Sequence, residues 1–178
     1  MKRGRLLFII ALLSSVLASA DRLTAQETLD GRSRIFHDEL LEKLVGDWQL
    51  TRKIGGQTVG NTVKVEWVLN HQFLRVHMKD VKTPASYEAM VFIGYDNTSE
   101  RYVAHWIDVF GGRFSETLGF GERSGNSIKF VFEYPDGPFK NAFTWRPENK
   151  TWSCLMENKD AKGNWKIFAE DTLRRSGN

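Results

Sequence analysis

Asn61-Thr62-Val63-Lys64-Val65-Glu66-Trp67-Val68-Leu69 is the stretch that decides the fold. Val63, Val65, Trp67 and Leu69 fall on one side of an extended chain, and Thr62, Lys64 and Glu66 fall on the other. Side chains of a strand alternate between its two faces, so this spelling is a strand with one face on a core and the other in water. The pattern recurs downstream. Leu74, Val76 and Met78 oppose Arg75, His77 and Lys79; Ile128, Phe130, Phe132 and Tyr134 oppose Ser127, Lys129 and Glu133.

Extending the same reading outward predicts ten strands, over residues 47–54, 61–69, 72–81, 87–95, 101–110, 114–121, 127–134, 139–146, 151–158 and 165–174. Short turn-forming runs separate them, among them Gly55-Gly56, Asn70-His71, Asp96-Asn97-Thr98-Ser99-Glu100 and Asp136-Gly137-Pro138. No long helical pattern lies between these segments to carry a parallel crossover, so the connections read as antiparallel hairpins. Ten one-sided strands are best satisfied as an all-β, up-and-down barrel, because closure leaves no exposed edge. A barrel of about eight strands already has room for a small ligand, and ten should be no tighter.

One helical pattern precedes the strands. Phe36, Leu40 and Leu44 recur at fourth positions, with Leu41 and Val45 beside them, Ser33 as a plausible N-cap and Gly46 as a stop. The expectation is a short amphipathic helix over residues 35–45 whose apolar stripe plugs one mouth of the barrel.

Before it, residues 1–20 read as a secretory signal. Lys2, Arg3 and Arg5 form a positive start, Leu6 to Leu17 an apolar run broken by Ser14 and Ser15, and Ala18-Ser19-Ala20 a small-x-small cleavage pattern. The run is about a dozen residues, short of the ~20 that span a bilayer, so no stable membrane anchor is expected after cleavage. A second cut could fall after Ala25. Residues 21–34 read as a loose leader, and the barrel domain as residues 35–175. The expected destination is periplasmic or secreted.

The signal changes the meaning of the charge. The 178-residue chain has 25 Lys+Arg and 22 Asp+Glu, for a formal +3. Lys2, Arg3 and Arg5 carry that excess, and residues after Ala20 are balanced. Basic side chains are scattered rather than striped, so nucleic acid is not an expected partner. At 41% hydrophobic the chain can build a sizeable core. Its single cysteine, Cys154, excludes an intramolecular disulfide and alternates with Trp152 and Met156, as a buried thiol would.

Gly46-Asp47-Trp48, following the helix and opening the first strand, resembles the Gly-x-Trp motif of lipocalins and related calycin barrels. The resemblance implies that Trp48 closes the barrel base against a basic residue of the last strand, with Arg174 favoured over Arg175. Leu69-Asn70-His71-Gln72-Phe73-Leu74-Arg75, Ile93-Gly94-Tyr95-Asp96 and Tyr102 through Trp106-Ile107-Asp108 resemble the domain-of-unknown-function 1579 family, over roughly residues 40–175. That resemblance implies a calycin-like barrel, often with a signal peptide, and no established reaction. The haem-binding nitrobindin barrels hold iron through a late histidine; here no histidine follows His105. No cofactor is expected.

Polar residues in phase with apolar ones are the candidates for a ligand site. Glu116 shares parity with Phe114, Leu118 and Phe120, and Asn141 with Phe139, Phe143 and Trp145. Tyr134 ends an apolar face. Residues 101–110 are ambiguous: either His105 points inward with Val103 and Ile107, or Asp108 does with Tyr102, Ala104 and Trp106. Glu116, Asn141, Tyr134 and one of that pair would be the few polar handles of an apolar pocket. A buried carboxylate at Glu116 would have to be paired, hydrogen-bonded or protonated; the nearby glycines allow a bulge that turns it outward instead. Trp67, Trp106, Phe130, Phe132, Trp145 and Trp152 are the aromatics expected to fill or line the lumen. His71 and His77, six apart on one strand, lie about 20 Å apart and cannot share a metal. No metal ligands or catalytic residues are assigned.

These features favour a small, mostly apolar ligand bound in the lumen over two other readings. One is an interaction module acting through its outer surface around a filled barrel. The other is an enzyme using Glu116, Asp108 or His105 as acid or base.

Overall fold

The computed structural model describes residues 36–177. The expected signal at residues 1–20, the expected leader at 21–34 and the expected N-cap at Ser33 lie outside the described residues. From Gly46 the chain runs through β1 (Gly46–Ile54), β2 (Gln57–Val68), β3 (Phe73–Asp80), β4 (Glu88–Asp96) and β5 (Arg101–Asp108). It continues through β6 (Leu118–Ser124), β7 (Ser127–Tyr134), β8 (Gly137–Arg146), β9 (Thr151–Lys159) and β10 (Trp165–Arg175). Each strand pairs antiparallel with its sequence neighbour, and β10 returns to β1, so the sheet closes as a ten-stranded barrel.

The alternation works as the sequence suggests. Val63, Val65, Leu74, Val76, Met78, Ile128, Phe130 and Phe132 are all buried in one core. Gly55 and Gly56 both take positive φ, 56° and 75°, and join Ile54 directly to Gln57. That two-residue turn matches strand twist, and it lets β2 begin four residues earlier than its hydrophobic run.

β6 departs from expectation. The chain after β5 forms a 3-10 turn at Gly112–Phe114, and the strand starts only at Leu118. Its inward positions are the glycines. A Cβ at Gly119 would lie 2.5 Å from the Phe132 ring, and one at Gly121 would lie 2.7 Å from Phe130. The two rings occupy the space that side chains would have filled, so Leu118 and Phe120 are turned outward and exposed. Arg101 covers Phe120, with its guanidinium 3.7 Å from the ring centroid.

The helix is also shorter than its pattern. Among the described residues of that pattern, 36–45, only α1 (Glu39–Glu42) is α-helical, and Asp38 is its N-cap, accepting from Leu40 N and Leu41 N at 2.8 Å each. Asp38 is extended, at φ −139° and ψ 112°, so the preceding residues leave the helical path. Leu40, Leu41 and Leu44 are nonetheless fully buried in the barrel core. Side chains from the barrel satisfy the carbonyls that so short a helix leaves open. Trp48 Nε1 donates to Leu44 O at 2.7 Å, Trp152 Nε1 to Lys43 O at 3.3 Å, and Arg175 to Val45 O at 2.6 Å. Residues 36–45 thus plug one end.

The basic residue over Trp48 is Arg175, with its guanidinium carbon 4.1 Å from the indole centroid. Arg174 is exposed. Trp48 and Arg175 are direct register partners across β1 and β10, so Arg174 falls on the opposite face.

Candidate ligand cavity

Opposite the plug, the barrel holds a cavity of about 620 Å³ that opens to solvent. Its walls are largely aromatic: Tyr87, Trp106, Phe132, Tyr134 and Phe139. Phe110, Phe114 and Phe168 line the mouth while remaining exposed. Phe132 and Tyr134 stack at 5.7 Å with planes 4° apart, and Phe139 meets both Tyr134 and Phe168 edge-on. A bulge between Ile167 and Ala169 on β10 accompanies the exposure of Ile167 and Phe168 at this end.

Asp80, Asp108, Asp136 and Lys159 add charge to the lining, and three further polar residues on it are buried. Arg52, Asn61 and Asn141 line the cavity and are all buried. Arg52 follows Trp48 and Leu50 on the inward side of β1, and Asp171 sits between Ala169 and Leu173 on that of β10. The register sets them directly opposite. Arg52 Nε donates to Asp171 Oδ1 at 2.8 Å and Nη2 to Oδ2 at 2.7 Å, a two-pronged ion pair away from water. Burial alone would lower the guanidinium pKa, but the Asp171 carboxylate outweighs it and raises the value, so Arg52 is a fixed cation. Its guanidinium carbon lies 5.5 Å from the Tyr87 ring centroid. Burial pushes the Tyr87 and Tyr134 hydroxyls up, keeping both protonated as neutral donors.

Asn141 Oδ1 accepts from the Cys154 thiol at 2.5 Å. Burial holds that thiol well above its ordinary range, so it remains a neutral donor and is no nucleophile.

Of the residues proposed from sequence, Asp108, Asn141, Tyr134, Trp106 and Phe132 meet at this cavity. Asp108 points inward with Tyr102 and Ala104, settling the parity of its strand. Its carboxylate accepts from Phe110 N at 2.9 Å near the mouth. His105 is therefore on the outer face, its Nε2 2.6 Å from Ser115 O. Glu116 is exposed in the loop before β6, because the glycines rather than the apolar residues of that strand face the core. The paired carboxylates considered for acid–base work do not form in the cavity.

The remaining aromatics lie elsewhere. Phe130 is core packing, fully buried against Phe143. Trp67 stands at the plugged end between Phe36 and His71, and Trp145 packs on Trp152, which is tied to Lys43. Arg52 and Asp171 are the site residues that sequence reasoning passed over. The signal was present: a charge of each sign, in phase with buried apolar neighbours, on the two strands that closure must pair.

A family model described as protein of unknown function (DUF1579) matches residues 36–175. No curated protein matches the chain.

Proposed function

This chain belongs to the DUF1579 family, and from that premise we propose that it is an exported, calycin-like barrel that binds one small, mostly apolar molecule in its cavity. The observation that carries the reading is the open cavity of about 620 Å³, aromatic along its walls with a few buried polar groups. Ligand pockets fall at roughly 300–1,000 Å³ with that distribution of surface. The exposed aromatic mouth at Phe110, Phe114 and Phe168 suits entry of an apolar body.

The buried polar groups refine the ligand's chemistry. The Arg52 charge is already matched by Asp171, so a buried anion arriving there would face a neutral pair and lose its hydration without equal return. A neutral carbonyl, hydroxyl or amide is better suited, bonding to the Asn61 or Asn141 amide or to the Tyr87 hydroxyl beside Arg52. Export rests on the positively charged, apolar, Ala18-Ser19-Ala20 start of the chain.

Native mass spectrometry of protein recovered from the exported fraction tests this. A mass excess that solvent extraction removes, together with cleavage after Ala20 or Ala25, is expected. Uniformly empty protein that also takes up no added apolar compound would end the proposal.

A further inference from the structure

The geometry points to a divalent transition-metal site at the plugged end of the barrel, formed by His37, Glu42 and His71, with zinc as the fitting ion. These residues come from two separate stretches, the plug and the β2–β3 turn. Their ligand atoms all lie within 4.8 Å of one another. The site is at the far end of β2 from the cavity and does not depend on what the cavity binds.

His71 is prepared for the role. Its Nδ1 lies 2.8 Å from the Phe36 carbonyl, which can only accept, so Nδ1 carries the proton. In the neutral ring Nε2 then presents its lone pair toward the Glu42 carboxylate, 3.6 Å away. Two lone-pair donors face each other, and a cation between them makes the contact attractive. A backbone carbonyl on the other ring nitrogen is also the usual outer support of a metal-bound histidine, fixing tautomer and ring direction. The ring is further held by stacking on Trp67, at 4.1 Å between centroids and 20° between planes. Leu69, Asn70 and His71 all take left-handed φ, at 52°, 54° and 63°. Such conformations are costly for residues other than glycine, and here they deliver His71 to the plug.

His37 supplies the third donor, its ring centroid 5.0 Å from that of His71. Zinc bonds of 2.0–2.2 Å place tetrahedral ligands about 3.3–3.5 Å apart. The side chains of His37 and Glu42 are exposed and free to rotate by the remaining ångström or so. Two imidazoles and one carboxylate suit zinc better than magnesium or calcium, which prefer all-oxygen shells. Water would complete the fourth position. The bound ion would clasp the plug to the β2–β3 turn, stabilising the closed end.

The test is zinc titration of untagged protein by calorimetry, with thermal melting in parallel. One ion per chain is expected, with a dissociation constant of roughly 1 μM or below. At free zinc about a hundredfold above that constant, melting should rise by roughly 5–10 °C. His37→Ala should leave the zinc-free melting temperature unchanged, since the ring is exposed, and weaken binding by about 100-fold or more. His71→Asn should abolish binding, and Glu42→Gln should weaken it. Magnesium should not compete. Absence of saturable zinc binding, or 1:1 binding that survives His37→Ala or His71→Asn, overturns the assignment.

Discussion

The Arg175 guanidinium lies across the Trp48 indole and donates to Val45 O at 2.6 Å and Lys43 O at 3.2 Å, locking the last strand and the first to the plug. Gly46 makes the approach feasible: its φ is 124°, and a Cβ there would stand 2.0 Å from Arg175 Nη1. Trp48→Ala is expected to cost about 3–5 kcal/mol, as large-to-small changes in a core do. Arg175→Ala should cost about 1–3 kcal/mol through the lost cation–π contact and the orphaned Val45 carbonyl. Arg174→Ala should stay within about 0.5 kcal/mol. Urea unfolding of the three variants checks this, and equal losses at Arg174 and Arg175 would refute the assignment.

Arg52 and Asp171 offer a second test. Asp171→Asn leaves a buried cation without its partner and should cost about 3–5 kcal/mol. The paired replacement Arg52→Met with Asp171→Leu should recover most of that loss, since desolvating the ion pair offsets much of its attraction. Urea unfolding of Arg52→Met, Asp171→Leu and their double variant completes the cycle that gives the coupling. A double variant no more stable than Asp171→Asn alone would show that the pair itself holds the barrel together.

Much of the barrel was legible because each strand repeats a period of two, and turn residues mark its ends. Apolar does not mean inward on every strand. In β6 the inward positions are Gly119 and Gly121, which leave room for Phe132 and Phe130 from the next strand. One strand's spelling cannot reveal that its neighbour's rings fill its side of the core. The same inversion carried Glu116 to the wrong face. At the site, Asn141 and Tyr134 are readable from parity alone, whereas parity leaves His105 and Asp108 as alternatives, because both faces of β5 carry apolar residues. Trp67, Trp145 and Trp152 were not separable from lumen residues, because parity fixes a face and says nothing of height along the barrel. The helix was overextended because its apolar spacing continues past the point where Asp38 caps it.

Acid should loosen the turns first. Asp80, Asp96 and Asp160 are held below their ordinary value of 3.8, by the Ser86 hydroxyl, the Ser99 hydroxyl and the Asn164 backbone N–H respectively, with further turn N–H bonds. A carboxyl whose folded pKa is depressed adds stability above its unfolded pKa and loses it as pH falls through the folded one. The melting temperature should therefore change little in going down to about pH 5 and fall below about pH 4. Asp96→Asn should flatten part of that fall. An unchanged acid slope in Asp96→Asn would remove this turn from the account.

Binding of an environment-sensitive apolar fluorophore, compared between the wild-type protein and Val59→Trp, tests ligand binding in the lumen. Val59 lines the cavity from the start of β2, and an indole there would occupy the ligand's space. Saturable 1:1 binding to wild type is expected, displaced by extracted native ligand, with at least about a tenfold weaker signal in a variant that still folds. Equal binding by both proteins, or none by the wild type, would contradict it.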